Sequence, residues 1–297
     1  MPKQASVGVS GATSSRPPAR GRIGLVGRLL RSSGLGAGLC TAVAPPAVLS
    51  AAPNVSQVSG DNLALTAEQY RPIMVKDIDQ SLAGALLLRA RLVAGDVNGA
   101  EKAWIDARVG WERSEVFTEA FVPDLDQEID AWPNALLGFH AIEAKLFGAK
   151  RTDLTAETDA LILNLEDLDV KVHHLNLLPQ RLLNGTARLA YELGESKADG
   201  GESRYSGTSL NDMQNNVHGI AIAYQTIFSA GVEAHDVKLA AALQQKIDQL
   251  KRLVGVPDLK SLGSEKLRAS SEELIVLLQR AGPEIGLRAP TLEEIAQ

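Results

Sequence analysis

The sequence predicts an all-α protein: two antiparallel four-helix bundles packed together, with a cleft between them. Three observations lead there. Aromatic residues make up only 4% of the 297, while Ala and Leu abound, a balance that favours helix over sheet. From residue 66 onward apolar residues recur at helical spacing, as in Ile73, Ile78, Leu82, Ala85, Leu86 and Val93. Gly and Pro fall mainly between these stretches, where they punctuate helices joined by short connections.

Taken in order, Thr66 followed by Glu68 and Gln69 reads as a helix start, and Gly95-Asp96 as its end. A second helix spans about residues 98–119 and is interrupted at Pro123-Asp124. A short turn or helix covers 125–131, and Trp132-Pro133-Asn134 breaks the chain again. Asn134 is suited to cap a helix that carries His140 and Glu143 and ends at Gly148. Further helices are expected at 155–178, stopped by Pro179, and at 180–193. The stretch 194–207 is rich in Gly, Ser and charge and reads as a loop. Helices follow at 208–231, 233–254, 262–281 and 290–296. The expected organisation is a signal or leader over 1–52, a flexible leader over 53–65, a first bundle over 66–200 with the histidine-bearing helix, and a second over 201–297.

The first 52 residues stand apart. They carry Lys3, Arg16, Arg20, Arg22, Arg28 and Arg31 and no acid. An apolar run from Leu35 to Leu49 then ends in Ser50, Ala51 and Ala52. A basic start, a short apolar centre and small residues at the end describe a secretory signal, which puts the remainder in the periplasm. The single cysteine, Cys40, lies inside this segment, so nothing after it can form a disulfide, a thiolate metal site or a cysteine nucleophile. Lipid attachment at Cys40 is disfavoured because Leu39 stands where a small residue is wanted. Removing six of the 30 basic residues leaves 24 against 36 acidic ones, a net charge of −12 over 53–297. Such a charge opposes nucleic-acid binding and suits a protein that gathers cations. Beyond the leader no run reaches the ~18 apolar residues of a membrane span.

The densest chemical signal is Gly138-Phe139-His140-Ala141-Ile142-Glu143. Residues i and i+3 share a helix face, so the imidazole and the carboxylate converge on one point, a way for a helix to offer two ligands. Upstream, Arg108, Glu112 and Glu115 fall at i, i+4 and i+7 on one stripe, in the same turns as Trp104 and Trp111. Tryptophans beside carboxylates suggest burial, which requires pairing or a bound cation. Asp126 and Asp130 follow four residues apart, with Asp124 nearby. Carboxylates with one imidazole and no sulfur suit iron, manganese or zinc better than copper(I). His173 and His174 are adjacent and point about 100° apart, so one reads as core and the other as surface. His218 and His235 are isolated and read as structural, with a role at the site kept as the alternative for His218, which follows Asn215 and Asn216.

Several motifs occur in a fixed order: Ala103-Trp104, Ala107-Arg108, Trp111-Glu112, Glu115, Phe121, Leu125-Asp126, Ile129-Asp130, the glycine-flanked His-x-x-Glu, Glu202-x-Arg204-Tyr205-Ser206 and Asn215-Asn216-Val217. In these the chain resembles the imelysin-like family of EfeO type, periplasmic components of bacterial iron uptake, over most of residues 66–231. The resemblance implies two helical bundles with the His-x-x-Glu helix at a central cleft. It implies His140 and Glu143 as metal ligands, with Glu112, Glu115, Asp126 and Asp130 as acidic groups at the cleft and candidate further ligands. It implies that Arg108 and Tyr205 orient carboxylates. The cargo it implies is iron, ferrous or ferric, with zinc or copper as alternatives, and the partner an inner-membrane iron permease. Full-length EfeO proteins resemble a cupredoxin joined to this helical domain. The stretch before Thr66 is too short for a cupredoxin, so the chain is similar to the shorter, helical-domain-only form. The connection between Asp130 and Gly138 is also shorter than is usual for the family.

Two rival functions are weighed against metal capture. A metallopeptidase would want His-Glu-x-x-His, but Glu143 is followed by Ala144, Lys145, Leu146 and Phe147, and no Gly-x-Ser-x-Gly is present. An acidic polysaccharide in the cleft would have Arg108, Lys145, Lys150 and Arg151 to meet its carboxylates.

Overall fold

The computed structural model describes residues 55–133 and 135–296, with side chains from residue 62 onward. The expected signal, with Cys40, and the expected cap Asn134 lie outside the described residues. All regular structure among those described is helical, with no strand. The described residues form one compact unit.

Helix α1 (Val55–Val93) packs lengthwise against α2 (Val97–Ser114) and α6 (Thr155–Val172). It begins about three turns before Thr66, so the stretch expected to be a leader is helical from Val55. The physical reason lies at Thr66, which caps nothing: its hydroxyl donates to the carbonyls of Leu63 and Ile227. Asp96 caps α2 by accepting from the Gly99 amide at 2.9 Å. Between α2 and α6 come three short helices, α3 (Thr118–Phe121), α4 (Pro123–Asp130) and α5 (Gly138–Glu143). A π-helical turn (Ala144–Gly148) continues α5.

The remaining helices are α7 (Pro179–Glu195), α8 (Ser209–Ala223), α9 (Ser229–His235), α10 (Val237–Val254), α11 (Ser264–Glu284) and α12 (Leu292–Ile295), with a second π-helical turn (Tyr224–Phe228) between α8 and α9. Pro179 opens α7 at its first position, where a missing N–H costs nothing. Helix α7 packs along α11, α11 along α10, and α8 against both α2 and α10. These contacts join elements on either side of residue 200 through one apolar core that includes Trp104, Leu165, Leu189, Ile220, Leu243 and Leu274.

Two packing details position the chemistry. Gly138 has φ +75°, and a Cβ there would lie 2.1 Å from the Ile129 carbonyl oxygen. Only glycine allows α5 to start so close to the end of α4. Trp104 of α2 then donates through Nε1 to the Phe139 carbonyl at 3.1 Å, edge-on to the Phe139 ring. Helix α5 is therefore held against α2 on one side and α4 on the other.

Candidate metal centre

Five segments converge on one polar cluster. Helix α2 brings Arg108 and Glu112, with Glu115 just past its end. Helix α4 ends on Asp130, α5 carries His140 and Glu143, and the loop 196–208 brings Lys197, Glu202, Ser203, Tyr205 and Ser206. Helix α8 supplies Asp212 and Asn216.

His140 Nδ1 lies 3.1 Å from Glu143 Oε2. The other oxygen of Glu143, Oε1, accepts from the Tyr205 amide at 3.0 Å and from both the amide and the hydroxyl of Ser206 at 2.8 Å. Glu143 is thus fully engaged, and burial, which would raise its pKa, is outweighed by the bonds from His140 and Ser206, which lower it. Its pairing fixes the imidazole so that Nε2 faces the cluster interior. There Nε2 stands 3.4 Å from Asp130 Oδ1 and 3.6 Å from Glu202 Oε1, buried and without a hydrogen-bond partner. Ligand atoms of Asp130, His140 and Glu202 all lie within 4.8 Å of one another.

Charge sets the protonation of this trio. Burial pulls the His140 pKa down, but the Asp130 carboxylate, helped by Glu143 and Glu202, raises it to about 9 against the opposing charge of Arg108. Burial also raises Asp130, offset in part by Arg108 and His140. For Glu202 burial is overcome by Lys197, His140 and Arg108, which bring its carboxyl down to about 2. At neutral pH the imidazole therefore holds a proton in the place where a cation would sit.

Arg108 and Lys197 organise the acids around the trio. The Arg108 guanidinium pairs with Glu112 and Asp130 and lies 3.5 Å from Asp212, with the Trp104 ring 5.4 Å and the Phe139 ring 5.5 Å from its centre. Lys197 Nζ donates to Glu112 Oε2 at 3.0 Å and Glu115 Oε2 at 2.9 Å. Asn216 Nδ2 donates to the same two oxygens at 2.8 and 2.6 Å. Trp111 Nε1 donates to Asp130 Oδ2 at 2.6 Å, which fixes that carboxylate from behind.

The structure thus brings together Arg108, Glu112, Glu115, Asp130, His140 and Glu143. Glu112, Glu115 and Asp130 form a second group of candidate ligands beside the first. Asp126 is not among the atoms around His140. It accepts from the Thr118 hydroxyl and lines a neighbouring cavity of about 240 Å³ shared with Glu115, Asp130, Glu192, Lys197 and Glu202. Tyr205 reaches Glu143 through its backbone amide, while its ring is exposed under the Arg204 guanidinium. Glu202, Lys197, Asp212 and Asn216 are not singled out as site residues by sequence reasoning. Glu202 had a signal, since it stands in the Glu-x-Arg-Tyr-Ser motif, and Asn216 had one in the Asn215-Asn216-Val217 motif. Lys197 and Asp212 had none, because nothing local marks a charge whose partner is far along the chain, as Glu112 is for Lys197, 85 residues away, and Arg108 for Asp212. Of the basic residues weighed for a polysaccharide, Arg108 is buried, and Lys145, Lys150 and Arg151 are paired with Glu157, Glu101 and Asp153.

Comparison with known proteins places this architecture. The Imelysin family profile matches residues 72–136 and 134–275. The chain belongs to the imelysin family. It is 29% identical over 229 residues to an Efem/EfeO family lipoprotein of Staphylococcus haemolyticus, covering 71% of this chain and 79% of that one. A Staphylococcus aureus Efem/EfeO family lipoprotein is 30% identical over 65% of this chain and 71% of its own length. The iron uptake system component EfeM of Bacillus subtilis is 31% identical over 67% of this chain, which spans 52% of that relative. Among solved structures, an iron-regulated protein A precursor from Parabacteroides distasonis shares the fold, with a TM-score of 0.60 at 17% identity over 76% of this chain and 95% of its own.

Proposed function

We propose that this imelysin-family chain is an envelope-located component of an iron uptake system that captures one iron ion on His140, Asp130 and Glu202 and yields it to a membrane permease. The observation that carries the reading is the His140 imidazole. Its Nδ1 is fixed by Glu143 while its buried Nε2 has no hydrogen-bond partner and faces two carboxylates. A buried polar atom without a partner is costly unless something else occupies the position in the working protein. One imidazole with two hard oxygen donors suits iron, with zinc as a competitor. In this reading Glu143 orients His140 instead of binding the ion. Glu112 and Glu115 hold the acidic wall, and Asp126 lines the approach.

The names of the relatives support the cargo and the setting: EfeM is an iron uptake component, and the staphylococcal proteins are lipoproteins. Three protein ligands leave open positions, as reversible transfer requires. The reading assigns no covalent chemistry to the site, whose single imidazole in the cluster gives no basis for a His-Glu-x-x-His peptidase centre.

The test is calorimetric titration with ferrous iron under nitrogen of the wild type and the His140→Ala and Glu202→Gln variants, with helicity checked by circular dichroism. Each substitution should weaken binding at least ~10-fold with helicity retained. Equal affinity in all three proteins would remove the site.

A further inference from the structure

We propose that Lys197 is a tethered cation that occupies the Glu112 and Glu115 side of the second carboxylate group, which Asp130 completes, and so restricts the protein to one bound metal ion. This inference rests on the reading of His140, Asp130 and Glu202 as the metal site. The geometry is that of an occupied cation site. The Lys197 ammonium, almost wholly buried, touches Glu112 and Glu115 at 3.0 and 2.9 Å and lies 3.4 Å from Glu202. A lysine ammonium is a compact point charge and can stand where a metal ion would. Hard metal ions hold oxygen ligands at ~2.0–2.6 Å, so an ion in contact with the same oxygens would overlap Nζ. The two occupants exclude one another.

Three further features bear on exchange between Lys197 and a free cation. The carboxylate group borders the cavity of about 240 Å³ lined by Asp126 and Glu192, which gives a cation a polar route in. Asn216 is fully buried, and its Oδ1 has no donor while its Nδ2 faces Glu112 and Glu115. Nδ2 also donates to the Glu112 carbonyl at 2.9 Å, a bond that must break before the amide oxygen can turn toward an ion in place of Lys197. Lys197 also sits two residues past α7, its amide donating to the Glu192 carbonyl at 3.0 Å, on a loop that turns at Gly200 and Gly207, with φ +73° and +72°. The same loop carries Glu202, a proposed ligand of the first ion. An ion that evicted Lys197 would therefore disturb Glu202, and the tether protects the first site by keeping the second filled. Because the lysine is covalently attached, it competes at a high effective concentration against free cations.

The experiment counts ferrous ions bound per full-length chain by anaerobic equilibrium dialysis. The wild type and Lys197→Arg should bind one ion, Lys197→Met two, and Lys197→Met/His140→Ala one. Wild type without any bound ion would sink the function proposed above; the double variant still reports on Lys197 independently, because its ion requires only the carboxylate group. The inference is overturned if Lys197→Met keeps the wild-type count or if the wild type already takes two. Should Lys197→Met not fold, Lys197→Gln is measured, with metal-dependent thermal stabilisation as the readout. If neither folds with or without metal, the lysine is structural and the inference is lost.

Discussion

Metal binding should be governed by the proton on His140, and the structure sets the size of the effect. The imidazole is held at about 9 in the metal-free protein. A ligand must be neutral, so the ion displaces that proton. At pH 7 only about 1% of His140 is neutral, and the proton costs about a hundredfold in apparent affinity, about 2.7 kcal/mol. Between pH 7 and 8.5 the neutral fraction rises about 25-fold, and ferrous-iron affinity should rise with it; an ordinary imidazole, with a pKa of about 6.5, would give about 1.3-fold. Asp126 and Asp212, whose carboxyls burial pushes up to about 7, are largely ionised in the upper half of this window, which isolates the imidazole. Glu115 is also raised, by burial and by Glu112, so the titration is repeated in Glu115→Gln, where the slope should persist. The assay is calorimetry under nitrogen in buffers of differing ionisation enthalpy, which reads protons released as well as affinity. An affinity that changes less than about threefold across the window would refute the linkage.

Other expectations follow from the same geometry. The metal-free protein should melt at a higher temperature at pH 5 than at pH 8.5. The raised His140 pKa gives stability that is complete below about 6.5 and lost as the pH climbs through about 9, and the raised carboxyls of Asp126 and Asp212 favour the fold only while protonated, below about 7; a flat thermal profile would contradict those environments. Gly138→Ala should destabilise the fold by ~3 kcal/mol or more in urea, since the new Cβ meets the Ile129 carbonyl oxygen in a left-handed backbone; a loss under ~1 kcal/mol would show that α4 and α5 separate freely. Arg108→Met should cost ~3–5 kcal/mol by leaving Glu112, Asp130 and Asp212 with an uncompensated buried charge. Arg108→Lys should recover only part of that, because an ammonium lacks the planar fork of donors that pairs with Glu112 and Asp130 together and the flat face set against Trp104 and Phe139.

The parts of this account that were legible in the sequence are those with local causes. Helix period and the scarcity of aromatics predict the all-α class, and i, i+3 spacing predicts that His140 and Glu143 meet. Element ends were less legible. The helix expected over 98–119 stops at Ser114 and resumes as α3, so Glu115 sits past the helix end and turns toward Lys197. Thr66 reads as a start signal, yet lies inside α1 because its hydroxyl is spent on carbonyls. The site's counter-charges were illegible for a different reason. Lys197 belongs to a loop whose composition announces flexibility, and only tertiary packing brings its charge to α2; Glu202, on the same loop, is marked only by the Glu-x-Arg-Tyr-Ser motif. Asp126 and Asp130 look equivalent in sequence, one helical turn apart. Their different surroundings, Thr118 for one and Arg108, Trp111 and His140 for the other, come from how α4 lies between α3 and α5.

The central claim is that His140 Nε2 is a metal ligand, and X-ray absorption of the ferrous-loaded protein tests it most directly. The account predicts imidazole scattering alongside oxygen ligands in the wild type and its disappearance in His140→Ala. An all-oxygen shell in the wild type, or a spectrum unchanged by the substitution, would contradict it.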